Sequence, residues 1–162
     1  MKQLFPIFFL LLVLISCKSN ECDSLDCGPN GNCDDATEAC ICNQFYEGTL
    51  CEKEVRERFT GAWSGTGICD NRLNNTFALN VDITPGISLD EVRIQSENIL
   101  QEFTMTGSLN DEENVSIPEF MIPISSNDYD GEINFVEENS IVIILNAFVN
   151  GVKTTCTYTL SK

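Results

Sequence analysis

The chain has 162 residues, and its 9 Lys+Arg stand against 25 Asp+Glu for a formal net charge of −16 at pH 7. Such a surface repels nucleic acid and anionic lipid, so no nucleic-acid partner is expected, and acidity of this degree keeps an exported protein soluble. The chain has no histidine and 9 cysteines; the first fact removes Ser-His-Asp and Cys-His catalysis, and the second makes the sulfurs the organising feature.

Residues 1–16 read as a signal peptide. Lys2 supplies the positive start, and the stretch 4–15 is apolar, long enough for a signal h-region and short for a bilayer span. The string Leu14-Ile15-Ser16-Cys17 resembles the lipobox of bacterial lipoproteins. That resemblance implies cleavage before Cys17, diacylation of its thiol (palmitate in the usual case) and acylation of the new amino terminus. Two or three acyl chains anchor stably where one is marginal. Lys18, rather than Asp, follows the cysteine, which points to a lipid anchor in the outer membrane, on its periplasmic or its cell-surface side. Residues 17–21 are then the lipidated tether, and the lipid makes the membrane the first partner.

Cys22, Cys27, Cys33, Cys40, Cys42 and Cys51 follow with the spacing C-x4-C-x5-C-x6-C-x-C-x8-C. A segment this short cannot bury enough apolar surface to offset its chain entropy, so it needs crosslinks. Spacing alone leaves about fifteen connectivities. The closing part runs from Cys40-x-Cys42 through Tyr46 and Gly48 to Cys51, and it resembles the epidermal growth factor (EGF)-like module over residues 22–51. Phe45 replaces a frequent glycine of that module. The resemblance implies the pairs Cys22–Cys33, Cys27–Cys40 and Cys42–Cys51, each contributing roughly 2–4 kcal/mol. Calcium-binding members carry acidic ligands before the first cysteine and between the third and fourth. Here Asn20-Glu21 and Asp35 fit, while Lys18 stands where an acid is usual. That supplies about half of the six to eight oxygens calcium takes, so a metal-free spacer is expected.

Residues 52–58 (EKEVRER) are either a solvated linker or one helical turn. Residues 59–162 suffice for one core and carry period-two patterns. Phe77, Leu79, Val81 and Ile83 alternate with polar residues, as do Val92 and Ile94, Ile99 with Phe103 and Met105, Ile133 and Phe135, and Val152, Cys156, Tyr158 and Leu160. The apolar run 141–145 predicts a central strand covered on both sides. Asn150-Gly151 predicts a hairpin joining about 140–149 to about 152–160. Further breaks are expected at 70–75, 84–86, 107–114, Pro118, Pro123 and 125–131. The fold class is all-β: a disulfide-rich small module, then an antiparallel meander of about seven or eight strands forming a barrel or a sandwich.

Cys69 lies at the end of the first strand of that domain and Cys156 in the last. A closed meander makes those strands neighbours, so a Cys69–Cys156 bridge seals the closure. It is the pair left once Cys17 and the six clustered cysteines are assigned. The opening Phe59-Thr60-Gly61-Ala62-Trp63-Ser64-Gly65-Thr66-Gly67 resembles the start of lipocalin-like barrels and of short meander domains in outer-membrane lipoproteins. It implies that Trp63 plugs the closed end.

With every thiol committed, neither a cysteine nucleophile nor a thiolate metal site is expected. The carboxylates Asp111, Glu112, Glu113, Asp128, Asp130, Glu137 and Glu138 read as solvated turns rather than a glycosidase pair. Asp128, Asp130 and Glu132 miss the EF-hand pattern, because Gly131 is misplaced. No catalytic residue, metal or cofactor is therefore expected. The expected function is a tethered, non-catalytic module that binds a protein or glycan partner through its β domain. The alternatives are a lipocalin-like carrier of a small apolar ligand, with large residues such as Phe77, Phe103, Phe120, Phe135 and Phe148 lining or filling its interior, and an inhibitor or accessory of an exported hydrolase acting through the turn 70–75.

Overall fold

The structure, a computed structural model, describes residues 21–70, 76–98, 101–122, 127–149 and 152–162. The leader, Cys17, the tether up to residue 20 and the Asn150-Gly151 turn lie outside the described residues. In the N-terminal segment, strands β1 (Gly31–Asp34) and β2 (Ala39–Cys42) pair antiparallel. β3 (Tyr46–Glu47) pairs with β4 (Lys53–Glu54). Three bridges hold it: Cys22–Cys33, Cys27–Cys40 and Cys42–Cys51. Its interior is made of sulfur, with Cys27 and Cys51 buried. Gly48, at φ +96°, makes the turn before Cys51 in a conformation that a Cβ disfavours.

Of the two readings of 52–58, the helical turn forms, and it is not solvated. A 3-10 helix spans Val55–Arg58 directly after β4. Its Val55 N–H donates to the Phe45 carbonyl at 2.9 Å, and Val55 and Phe59 are 1% and 0% exposed. Arg56 reaches the carbonyls of Gly86 at 3.2 Å and Ser88 at 2.7 Å, and its Nε pairs with Glu54 at 2.6 Å. Arg58 pairs with Glu47, donates to the Glu112 carbonyl at 3.3 Å and lies 5.5 Å from the Phe135 ring centroid. Two arginines thus tie the cysteine-rich segment and the helix to two turns of the β domain, β6–β7 and β8–β9, and to Phe135 of β10.

That domain is a closed eight-stranded antiparallel barrel. Its strands are β5 (Gly61–Cys69), β6 (Thr76–Pro85), β7 (Glu91–Asn98), β8 (Gln101–Leu109), β9 (Asn114–Ile122), β10 (Asn127–Glu137), β11 (Ser140–Val149) and β12 (Val152–Ser161). They form a meander in chain order, with β12 returning to pair with β5. That last seam runs from Ser161↔Ser64 to Cys156↔Cys69, where the Cys69–Cys156 bridge joins directly opposed residues with Cα atoms 4.0 Å apart. Barrel, not sandwich, is the outcome, because closure removes both sheet edges.

Three local expectations change. The run 141–145 is not covered on both sides: Ile141 and Ile143 are buried inward, while Val142 and Ile144 are half-exposed on the outer wall. Pro118 does not break the chain. It sits within β9, where Pro118 and Glu119 stand opposite the single residue Asp130, a bulge that tolerates the missing N–H. The stretch 127–131 is strand, so Asp128 and Asp130 lie on β10 rather than in a turn. Asp130 accepts a hydrogen bond from Asn146 at 2.7 Å.

The barrel interior has two unlike halves. At the closed end, where β5 begins, Phe59, Trp63, Ile83, Val92, Val115, Ile133, Ile141 and Leu160 are at most 1% exposed. Trp63 donates its indole N–H to the Phe59 carbonyl at 2.7 Å, and Lys162 covers its ring with Nζ 4.5 Å from the centroid. Removing this plug leaves a cavity with no room to collapse. Trp63→Ala is expected to cost about 3–5 kcal/mol, read by urea unfolding. Replacing both Cys69 and Cys156 by Ala releases a span of 87 residues and is expected to cost roughly 4 kcal/mol. A loss under about 1 kcal/mol would show that the strand pairing alone closes the barrel.

Candidate functional site

At the opposite end, the mouth, Ser96, Ala147 and Thr154 are buried, while the large inward side chains have intermediate burial. Phe77 on β6, Phe103 on β8, Phe120 on β9, Tyr129 on β10, Leu145 on β11 and Tyr158 on β12 all have this intermediate burial. Their placement follows from strand parity: each lies an even number of residues from a buried neighbour of its own strand, except Phe120, which the β9 bulge returns to the interior. Phe103 and Phe120 have centroids 5.9 Å apart, and Phe120 stacks on Tyr129 at 5.5 Å with an interplanar angle of 27°. The rings thus form a continuous row across β8, β9 and β10.

Tyr158 lies flat over Gly67. A Cβ built on Gly67 would stand 2.5 Å from Tyr158 Cδ1, so the glycine gives the ring its place. Burial, reinforced by the neighbouring Tyr129, pushes the Tyr158 phenol above its ordinary value of 10.0. Two phenols and four apolar side chains make a surface that suits an apolar or aromatic molecule carrying a polar edge.

An open cleft of about 580 Å³ lies where the cysteine-rich segment meets the β8–β9 turn, between Asn43–Gly48 and Asn110–Glu112. Two of its carboxylates are already engaged. Glu47 pairs with Arg58, and Asp111 accepts from the N–H groups of Glu113 and Asn114, both at 2.8 Å. Those bonds hold the Asp111 carboxyl below its ordinary value.

The structure scatters the carboxylates singled out from the sequence: Asp111, Glu112 and Glu113 in the β8–β9 turn, Asp128, Asp130 and Glu137 along β10, and Glu138 after it. Among the described residues, no three His, Cys, Asp or Glu side chains gather in a way that could hold a metal. The mouth was only partly visible in the sequence. Phe77, Phe103 and Phe120 stand out as large interior residues, whereas Tyr129, Leu145 and their grouping depend on register and on the bulge.

No protein-family model matches the sequence, and no curated protein matches it. Among solved structures the chain is similar to two that each cover 67% of it. One, EF1p2_mFAP2b bound to DFHBI, shares 12% identity at a TM-score of 0.54 over 67% of this chain and 96% of its own. The other, a redesigned β barrel, mFAP1, bound to DFHBI, shares 13% identity at a TM-score of 0.53 over 67% of this chain and 98% of its own. A bovine lipocalin allergen, Bos d 2, superposes more loosely, with a TM-score of 0.43 and 14% identity over 65% of this chain and 73% of its own. Both likenesses show the fold alone, at identities that carry nothing about ligands.

The buried phenol gives a titration test. The unfolded chain ionises its tyrosines near 10, and Tyr158 ionises above that when folded, so folding favours the neutral form. The stabilisation is complete below the unfolded value and is lost as pH rises through the folded one. Tyrosinate absorbance is expected to show a step from Tyr158 above the ordinary phenol value. Tyr158→Phe should remove that step and flatten the fall in stability above about pH 10.

Proposed function

We propose that this chain is a lipid-anchored, non-catalytic binding protein whose barrel takes a small apolar or aromatic ligand at its mouth. The observation that carries the reading is the contrast inside one barrel: a closed half with side chains at most 1% exposed around Trp63, and a mouth half with a row of half-buried rings from Phe103 to Tyr129. A row of half-buried rings offers apolar surface that a small ligand can cover. The filled closed half argues for a shallow cup rather than the deep calyx of a carrier.

Localisation rests on chemistry. Four disulfides persist in oxidising compartments, and the apolar leader with Leu14-Ile15-Ser16-Cys17 supplies export and acylation. In this reading Cys17 carries the lipid that holds the protein in the outer membrane. The EGF-like module, residues 22–51, spaces the barrel from the bilayer, and the paired arginines at Arg56 and Arg58 make the spacer rigid rather than hinged. A protein contact is the second reading, favoured by Ile87, which is 100% exposed at the β6–β7 turn.

Titration with the neutral fluorophore N-phenyl-1-naphthylamine is the test. Saturable one-to-one binding is expected, weakened about ten-fold or more, near 1.4 kcal/mol, by Phe120→Ala and unchanged by Ile87→Ser. No saturable binding, or equal loss in both variants, would remove the mouth as a site. Metabolic labelling with a palmitate analogue, lost in Cys17→Ser, tests the anchor.

A further inference from the structure

Among the described residues, the β8–β9 seam has the shortest register of the barrel's junctions, with the β6–β7 register also stopping short at Val81↔Ser96. Its register holds at Leu109↔Val115 and Ser108↔Ser116 and stops there, although Gly107 and Ile117, the next residues in line, both lie in strands. On the other side of β8, the register with β7 continues from Glu91↔Ser108 to Asn98↔Gln101. On the other side of β9, the register with β10 continues to Asn127↔Ile122. Both strands are therefore held on their outer flanks and let go of each other between them.

Three local causes converge on this. Val115 fills the space over Gly107, where an added Cβ would stand 2.5 Å from Val115 Cγ1. Pro118 has no N–H to offer β8. The bulge that sets Pro118 and Glu119 against Asp130 commits β9 to β10 and bends it. Past the last rung the strands meet through side chains, with the Phe103 and Phe120 rings 5.9 Å apart.

We propose that the β8–β9 seam is the route by which a small apolar molecule reaches the barrel interior, with Phe103 and Phe120 as the two rings that part to admit it. This rests on the binding reading of the mouth and adds where the ligand passes. At a paired seam, separating two strands breaks ladder hydrogen bonds and leaves buried N–H and C=O groups unsatisfied. Between Phe103–Gly107 and Ile117–Phe120 no paired residues occur among the described residues, so parting the strands there breaks fewer rungs than at the other seams. The row Phe103–Phe120–Tyr129 then receives the ligand without a change of partners.

The test bridges the seam on its outer wall. Thr106 and Glu119 are both exposed there, and Thr106→Cys/Glu119→Cys can be linked by a short bismaleimide. Stopped-flow mixing with N-phenyl-1-naphthylamine is expected to show association and dissociation both slowed about ten-fold or more by the bridge, with the equilibrium affinity nearly unchanged. The unlinked double variant is expected to behave as the original chain does. Unchanged rates in the bridged protein would overturn the route while leaving the binding reading intact, and absence of any binding would overturn both. Amide hydrogen exchange of the unmodified protein keeps the test independent of the added thiols. Amides facing the seam within 104–107 and 117–120 are expected to exchange about a hundred-fold faster than those paired across β5 and β12. Equal protection would overturn the proposal.

Discussion

Closure of the sheet is the constraint on which the rest depends. An eight-stranded meander has two edges, and each edge is a row of unpaired N–H and C=O groups open to another chain. Here β12 returns to β5 over Cys156↔Cys69 through Ser161↔Ser64, and the Cys69–Cys156 bridge fixes the seam covalently. Once closed, a barrel this narrow has a fixed interior volume. It can be filled by side chains or left accessible, and this chain does one at each end. Trp63, Phe59 and the surrounding Ile and Val residues fill the closed end. Phe77, Leu145, Tyr158 and the ring row leave the mouth partly wet.

The cysteine-rich segment is not an independent appendage to that barrel. Its last turns supply Phe45, which packs against the barrel core, and the 3-10 helix that follows puts Val55 and Phe59 into the closed end. Arg58 is held between Glu47 and the Glu112 carbonyl. Closing the barrel floor and docking the N-terminal segment are therefore one packing event. The pair Arg58–Glu47 is only partly exposed, with side chains at 27% and 18%, so its geometry fixes orientation more than it adds stability. Opposite this crowded end, the mouth faces away from the segment that leads toward the chain start.

Much of this was legible in the sequence, for physical reasons that differ by element. Strand identity was legible because the inward face of a small barrel must be apolar at every second residue, as at Leu79, Val81 and Ile83. The role of Trp63 followed from Gly-x-Trp at the start of the first strand. What escaped detection depends on three-dimensional register. The period-two rule cannot place Phe120 indoors, because Pro118-Glu119 adds a residue and reverses the parity. Composition suggested a turn at Asp128–Gly131, yet pairing on both flanks holds that stretch extended. The apolar run 141–145 suggested a doubly covered strand, whereas a barrel wall exposes its outer face, and Val142 and Ile144 stand there half-exposed. The loss of register between β8 and β9 leaves no mark in hydropathy at all; Pro118 was visible, its consequence was not.

The central claim is that one barrel is solid at one end and receptive at the other. Its most direct measurement is a side-chain NMR map of the protein with and without saturating N-phenyl-1-naphthylamine. Shifts confined to the rings of Phe77, Phe103, Phe120, Tyr129 and Tyr158, with the Trp63 indole and the Ile141 and Ile143 methyls unmoved, are the predicted result. Shifts centred on Trp63, or spread over the outer wall with the mouth rings unmoved, would contradict the account.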